Sequence, residues 1–148
     1  MNRRGWIAHY LCMRVLAIDH GSKRIGLALS DETRTIAQPL GFFPAKPMAD
    51  LLAHLREIIS RQSVETLLVG MPRNMDGTYG PAAENVRRFI GVLEKEIPLP
   101  VKTWDERLTT VQANRTMIDA GVGRSARKEK ADATAAAILL QSYLDSRQ

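Results

Sequence analysis

The sequence predicts an α/β fold. Its mixed five-stranded sheet opens with an antiparallel three-strand meander, continues as helix, strand, helix, strand, helix, and carries helices on both faces. Three observations predict it. Two short apolar runs, Arg14–Ile18 and Ile25–Leu29, flank the turn sequence G-S-K-R, which is the pattern of a hairpin. After Phe43 the apolar residues change to helical spacing. A later run, Glu65–Met71, is almost unbroken in its apolar character, as a strand covered on both faces requires. A meander followed by alternating helices and strands folds into helices packed on a sheet.

In chain order, Thr35–Phe43 is the third strand, and Pro39 confines it to an edge or a bulge because proline cannot donate to a ladder. Met48, Leu51, Leu52, Leu55, Ile58 and Ile59 recur on one side of an amphipathic helix, with His54 turned to solvent. After Glu65–Met71 and the loop P-R-N-M-D-G-T-Y-G, a helix begins at about Pro81, whose missing N–H suits a first turn. It turns Val86, Phe89, Ile90 and Leu93 inward. Val101–Trp104 is the fifth strand. Thr109 and Gln112 have capping-box spacing for a helix that ends at Gly121. A final alanine-rich helix runs from about Glu129 to Leu144, with Ala136, Leu139 and Tyr143 inward and Gln141 and Asp145 on the solvated side.

The 148 residues suffice for one domain with a substantial core, residues 13–145, behind a dispensable extension, residues 1–12. A formal charge of +5 and a pI of about 9.7 fit a polyanionic partner without proving one. The single cysteine, Cys12, excludes an internal disulfide and a cysteine-based zinc site, and suits a reducing cytoplasm. No apolar run is long enough to span a bilayer. The short N-terminal run meets Arg14 without a small-residue cleavage site, unlike a signal peptide.

Three acidic positions carry the chemistry. Asp19 ends the first strand, where a carboxylate loses hydration unless a metal ion, Lys23 or Arg24 compensates it. Asp105 and Glu106 end the fifth strand, and ligands of such sheets sit beyond the carboxyl ends of central strands. Asp132 lies at the N-terminal end of the apolar stripe of the last helix. Clustered carboxylates raise one another's pKa, and Mg²⁺ or Mn²⁺ relieves the repulsion because hard divalent cations favour carboxylate oxygens. Asp19, Glu106 and Asp132 are therefore the candidate catalytic and metal-binding residues. Asp105 is the alternative to Glu106, since neighbours in an extended strand point opposite ways. Two such ions about 4 Å apart can activate a water and stabilise the leaving oxygen of a phosphodiester. Arg107 contacts phosphate or pairs with Asp105.

Four ordered stretches, I-D-H-G-S-K-R-I-G-L-A-L-S-D, V-G-M-P-R-N-M-D-G-T-Y-G-P, W-D-E-R-L-T-T and K-A-D-A-T-A-A-A-I-L-L-Q, resemble a bacterial family. It is the YqgF family, named for pre-16S rRNA nuclease activity and, in older usage, for Holliday junction resolution. The similarity runs from about Met13 to Leu144. It implies an RNase H-like fold, a cytoplasmic location and processing of the 5′ end of pre-16S rRNA. Asp19 matches the family's first-strand acid, Asp105 and Glu106 its D-E-R-L-T pair, and Asp132 the acid of its last helix. His20 stands where many members carry an apolar or small residue.

On this reading Asp19 binds metal and Gly21 lets the chain turn tightly beside a phosphate. Lys23 and Arg24 lie near substrate or are solvated. Arg73, Asn74 and Tyr79 contact phosphate or a splayed base, or serve only the shape of their loop. Arg124, Arg127, Lys128 and Lys130 lead directly to Asp132, and phosphate steering is the preferred reading of that run.

The expected function is a metal-dependent nuclease acting on nucleic acid, pre-rRNA ahead of branched DNA, with the small ribosomal subunit as a further partner and the chain a monomer or weak homodimer. Cleavage of four-way DNA junctions is the alternative within the class. A non-catalytic RNA-binding assembly module is the alternative outside it, and three intact acids argue against that. D-x-G-S also occurs in actin-like ATPases and sugar kinases, but those need two such domains and 148 residues hold one.

Overall fold

The computed structural model describes residues 13–74, 76–106 and 131–147, except for the side chains of 131–134. Among these residues the strands are β1 (Arg14–His20), β2 (Arg24–Ser30), β3 (Ala37–Pro44), β4 (Val64–Met71) and β5 (Val101–Asp105). The helices are α1 (Met48–Gln62), α2 (Pro81–Glu96) and α3 (Ala131–Ser146). The extension 1–12, the helix expected between Thr109 and Gly121, Arg107 and the basic run Arg124 to Lys130 lie outside the described residues.

The sheet order is β3-β2-β1-β4-β5. β1, β2 and β3 pair antiparallel, and β4 pairs parallel with β1 on one side and β5 on the other. The meander and the mixed sheet are as the apolar patterns predict. β4 is interior and covered on both faces, which accounts for its unbroken apolar run. β3 is the edge strand, and Pro39 sits at its bulge, where Leu27 faces Gly41 and Ala28 faces Pro39, so Leu40 is the extra residue.

Alternation along the strands divides the core. Leu16, Ile18, Ile25, Leu27, Leu67 and Val69 meet Leu51 and Leu55 of α1 and Val86, Phe89 and Leu93 of α2. On the opposite face Val15, Ala17, Ala28 and Leu68 meet Ala136, Leu139, Leu140 and Tyr143 of α3. Alanines on that side of the sheet let α3 lie close to it, and each fully buried leucine stabilises the fold by about 1.5–3 kcal/mol. No helix among the described residues is long and apolar enough to cross a membrane.

One side chain lies elsewhere than its sequence suggests, and two histidine rings pack on phenylalanines. Gln141 is fully buried, not solvated. Its Oε1 accepts from the Ala37 N–H at 2.9 Å, and its Nε2 donates to the Thr35 carbonyl at 2.8 Å and to Asp145 at 3.0 Å. Main-chain groups at the start of the edge strand thereby find partners on α3. His54 is half-buried, its ring stacked on Phe43 with centroids 4.2 Å apart. His20 packs on Phe89 of α2 at 4.7 Å. It fills an apolar position as an imidazole whose pKa burial holds below the ordinary value, although a hydrogen bond to its own backbone works the other way.

Gln141→Leu would keep the volume while leaving the Ala37 N–H and the Thr35 carbonyl unpaired. A loss of about 2–4 kcal/mol in urea-unfolding free energy is expected. A loss near zero would mean that water replaces the glutamine.

Candidate active site

Asp19 follows Ile18 on β1, so it points to the α3 face while Ile18 and His20 point to the α1–α2 face. The chain then reverses within four residues. Gly21 N–H donates to the Arg24 carbonyl at 3.1 Å, and a Cβ at Gly21 would stand 2.5 Å from that oxygen. Only glycine fits so close an approach. Asp19, Gly21, Ser22, Lys23, Arg24 and Gly26 line one cavity of about 260 Å³. The first-strand acid and three residues expected to bind substrate are thus brought together.

β5 delivers the second acid. Asp105 pairs with Met71 across the β4–β5 ladder and directs its carboxylate to the Arg73 guanidinium at 3.3 Å. Arg73 also donates to the Gly77 carbonyl from Nε at 3.0 Å and from Nη2 at 2.7 Å. The Tyr79 ring lies between Arg73 and Arg87, each 4.7 Å from its centroid. Arg73 therefore fastens the 72–80 loop to the end of β5. Asn74 closes the same loop on itself, its N–H meeting the Thr78 carbonyl at 2.8 Å and its Nδ2 the Thr78 hydroxyl at 3.0 Å.

Glu106 turns the other way. It donates its proton to Asp19, and burial first, then the Asp19 charge, that hydrogen bond and the Asp105 charge push its pKa up to about 7. Asp19 and Glu106 line a second cavity, of about 300 Å³, with Ala135, Ile138 and Leu139 of α3.

The residue that permits this contact is Gly70. Ile18 pairs with Val69, so Asp19 and Gly70 are level on adjacent strands. A Cβ at Gly70 would stand 2.8 Å from Glu106 Oε1 and 2.9 Å from Leu139 Cδ1. Its absence lets Glu106 reach across β4 toward Asp19. Sequence reasoning missed Gly70, although a lone glycine inside a buried strand signals a close approach.

Asp132 is in the first turn of α3, three positions before Ala135, and its side chain lies outside the described residues. Among the described residues no group of three or more metal-ligating side chains occurs. The Asp19–Glu106 pair nevertheless has the donor chemistry that a hard divalent cation fits. Both groups are oxygen donors, and one keeps its proton near neutrality because burial, and after it the other's charge, disfavours its ionised form.

Residues 13–146 match the family model described as "RuvX: Holliday junction resolvase". The chain is 48% identical over 138 residues to the "Putative pre-16S rRNA nuclease" of Geobacillus sp. (strain WCH70), covering 92% of this chain and 100% of that protein. It is 44% identical over 135 residues to the protein of the same name from Heliobacterium modesticaldum, 91% of each chain. Among solved structures, T. thermophilus RuvC in complex with a Holliday junction substrate aligns with a TM-score of 0.54 at 18% identity, over 91% of this chain and 95% of that one. The fowlpox virus Holliday junction resolvase aligns with a TM-score of 0.51 at 15% identity, over 90% and 99%. These likenesses establish the RNase H-like fold.

Two measurements test the geometry of the pair. An unfolded glutamate ionises near 4.5, whereas Glu106 holds its proton to about 7. The folded state therefore binds the extra proton between those values, and stability falls as pH rises through that window. In Glu106→Gln that component disappears, so the thermal midpoint of the variant should gain on the wild type from pH 4.5 to 7. Parallel pH profiles would refute the shared proton. In Gly70→Ala the atoms in the way are ends of flexible side chains, so Glu106 should swing aside. Its carboxyl ¹³C titration should then drop from about 7 toward 4.5; an unmoved titration would show that Gly70 does not hold the pair together.

Proposed function

We propose, for a chain that belongs to the RuvX family, that it is a metal-dependent nuclease hydrolysing phosphodiester bonds at the 5′ end of pre-16S rRNA in the cytoplasm. The observation that carries this reading is the approach of Asp19 and Glu106 at the carboxyl ends of β1 and β5, beside a cavity rimmed by Lys23 and Arg24. The name shared by its relatives supports the substrate, and the RNase H-like fold supports the reaction class.

In this reading Asp19, Glu106 and Asp132 hold Mg²⁺ or Mn²⁺, which when bound supplies charge stabilisation at phosphoryl oxygens and an acidified water. Glu106 must first release the proton that it shares with Asp19, so binding strengthens as pH rises through about 7. Lys23 and Arg24 attract the substrate phosphate to the cavity, and the tight turn at Gly21 keeps their backbone out of its way. Asp105 acts through Arg73 as a positioning residue: holding the end of β5, it sets the direction in which Glu106 leaves the strand. Ile138 and Leu139 form an apolar wall behind the acids. Arg107, Arg127, Lys128 and Lys130 complete the proposed phosphate contacts, and the small ribosomal subunit is the setting in which the substrate is met.

Asp19→Asn should reduce metal-dependent cleavage of a 5′-extended pre-16S rRNA fragment by about 10²-fold or more, the scale for removing one group that stabilises transition-state charge. Its far-UV circular dichroism should be unchanged. The comparison substrate is a synthetic four-way DNA junction, with Mg²⁺ and Mn²⁺ tested on both. Cleavage of the junction alone would replace the rRNA reading with junction resolution. Binding of RNA without cleavage by the wild type would make the protein an assembly module.

A further inference from the structure

The sheet continues on the side of Asp19 away from Glu106. Asp19 pairs with Gly26 across β1 and β2, and Gly26 pairs with Phe42 across β2 and β3. Residues directly paired in antiparallel strands share a face, so Asp19, Gly26 and Phe42 stand in one row on the α3 face. Two strand spacings, about 10 Å, separate the acid from the ring. Gly26 contributes no side chain, and it lines the cavity that holds Asp19, Lys23 and Arg24. Between acid and ring the row therefore has backbone at Gly26, and the two cations line the same cavity as the acid. Phe42 is 49% exposed at its far end, next to the bulged Leu40 at 41%. The Arg24 guanidinium lies over one face of the Phe42 ring, 5.0 Å from its centroid, so a cation already stacks on the aromatic surface and a base would take the ring's other face or displace it.

A groove with phosphate-attracting cations at one end and an exposed aromatic ring about one or two nucleotides away matches the anatomy of a single-strand binding surface. We propose that Phe42 is a base-stacking platform. An unpaired nucleic-acid strand crosses β2 with a phosphate near Asp19, Lys23 and Arg24, and a neighbouring base stacks on the Phe42 ring. Paired bases are already stacked on one another and present no free face to it. This rests on the nuclease reading, and adds to it a preference for an unpaired strand and the direction in which that strand leaves the acids, toward the β3 edge.

The test is fluorescence anisotropy with a short labelled unpaired RNA and with the same sequence as a blunt duplex, in EDTA so that nothing is cut. Wild type should prefer the unpaired strand. Phe42→Ala should lose about tenfold in affinity for it, with duplex binding and thermal midpoint unchanged, and Phe42→Trp should restore the affinity where Phe42→Leu does not. Equal affinity of wild type and Phe42→Ala for the unpaired strand would overturn the platform while leaving the nuclease reading intact. Absence of RNA binding by the wild type would overturn both. A wild type that sediments as a dimer beside a monomeric Phe42→Ala would assign this face to a second copy of the chain instead.

Discussion

Two carboxyl groups on strands that are not neighbours meet because the strand between them has a glycine at their level. β4 separates β1 from β5, and any side chain at Gly70 would occupy the space into which Glu106 extends. Burial first, and then the nearness of the two charges, disfavours a second carboxylate, so Glu106 keeps its proton up to about 7.

The direction of Glu106 follows from its neighbour. Successive residues at the end of an extended strand diverge, so whatever holds Asp105 on one side sends Glu106 to the other. Arg73 holds it, and Arg73 is itself fixed by two donations to the Gly77 carbonyl and by the face of Tyr79. The loop after β4 is thus a brace for the end of β5. Behind the pair, α3 is anchored at its far end by Gln141, whose amide bonds the main chain entering β3. The same helix lays Ile138 and Leu139 along the acids.

Patterns that depend on neighbours along the chain were legible in the sequence. The hairpin at G-S-K-R, the interior position of β4, the bulge at Pro39 and the start of α2 at Pro81 all follow from periodicity or from the chemistry of one residue. That Asp19 and one of Asp105 and Glu106 lie at strand ends was also legible, because each closes an apolar run. What could not be read depends on register between strands. That Asp105 rather than Glu106 turns to the β4 loop is decided by Arg73, a residue 32 positions earlier. Gln141 was placed on the wrong side because α3 is covered over most of its circumference, so a stripe drawn from Asp132 through Leu139 to Tyr143 understates the buried face. His54 and His20 look polar in a sequence but act as flat rings against Phe43 and Phe89.

The two glycines beside Asp19 make the site asymmetric. On the β4 side, the space above Gly70 is filled by Glu106 and Leu139. On the β2 side, Gly26 opens into the cavity with Lys23 and Arg24 at its rim. One glycine admits a protein side chain, and the other lines a cavity. On the same face α3 packs chiefly over β2 and β3, and beside the acids it brings Ala135, Ile138 and Leu139. The same strand order that assembles the acids therefore puts Glu106 on the β4 side of Asp19 and the side-chain-free Gly26 on its β2 side.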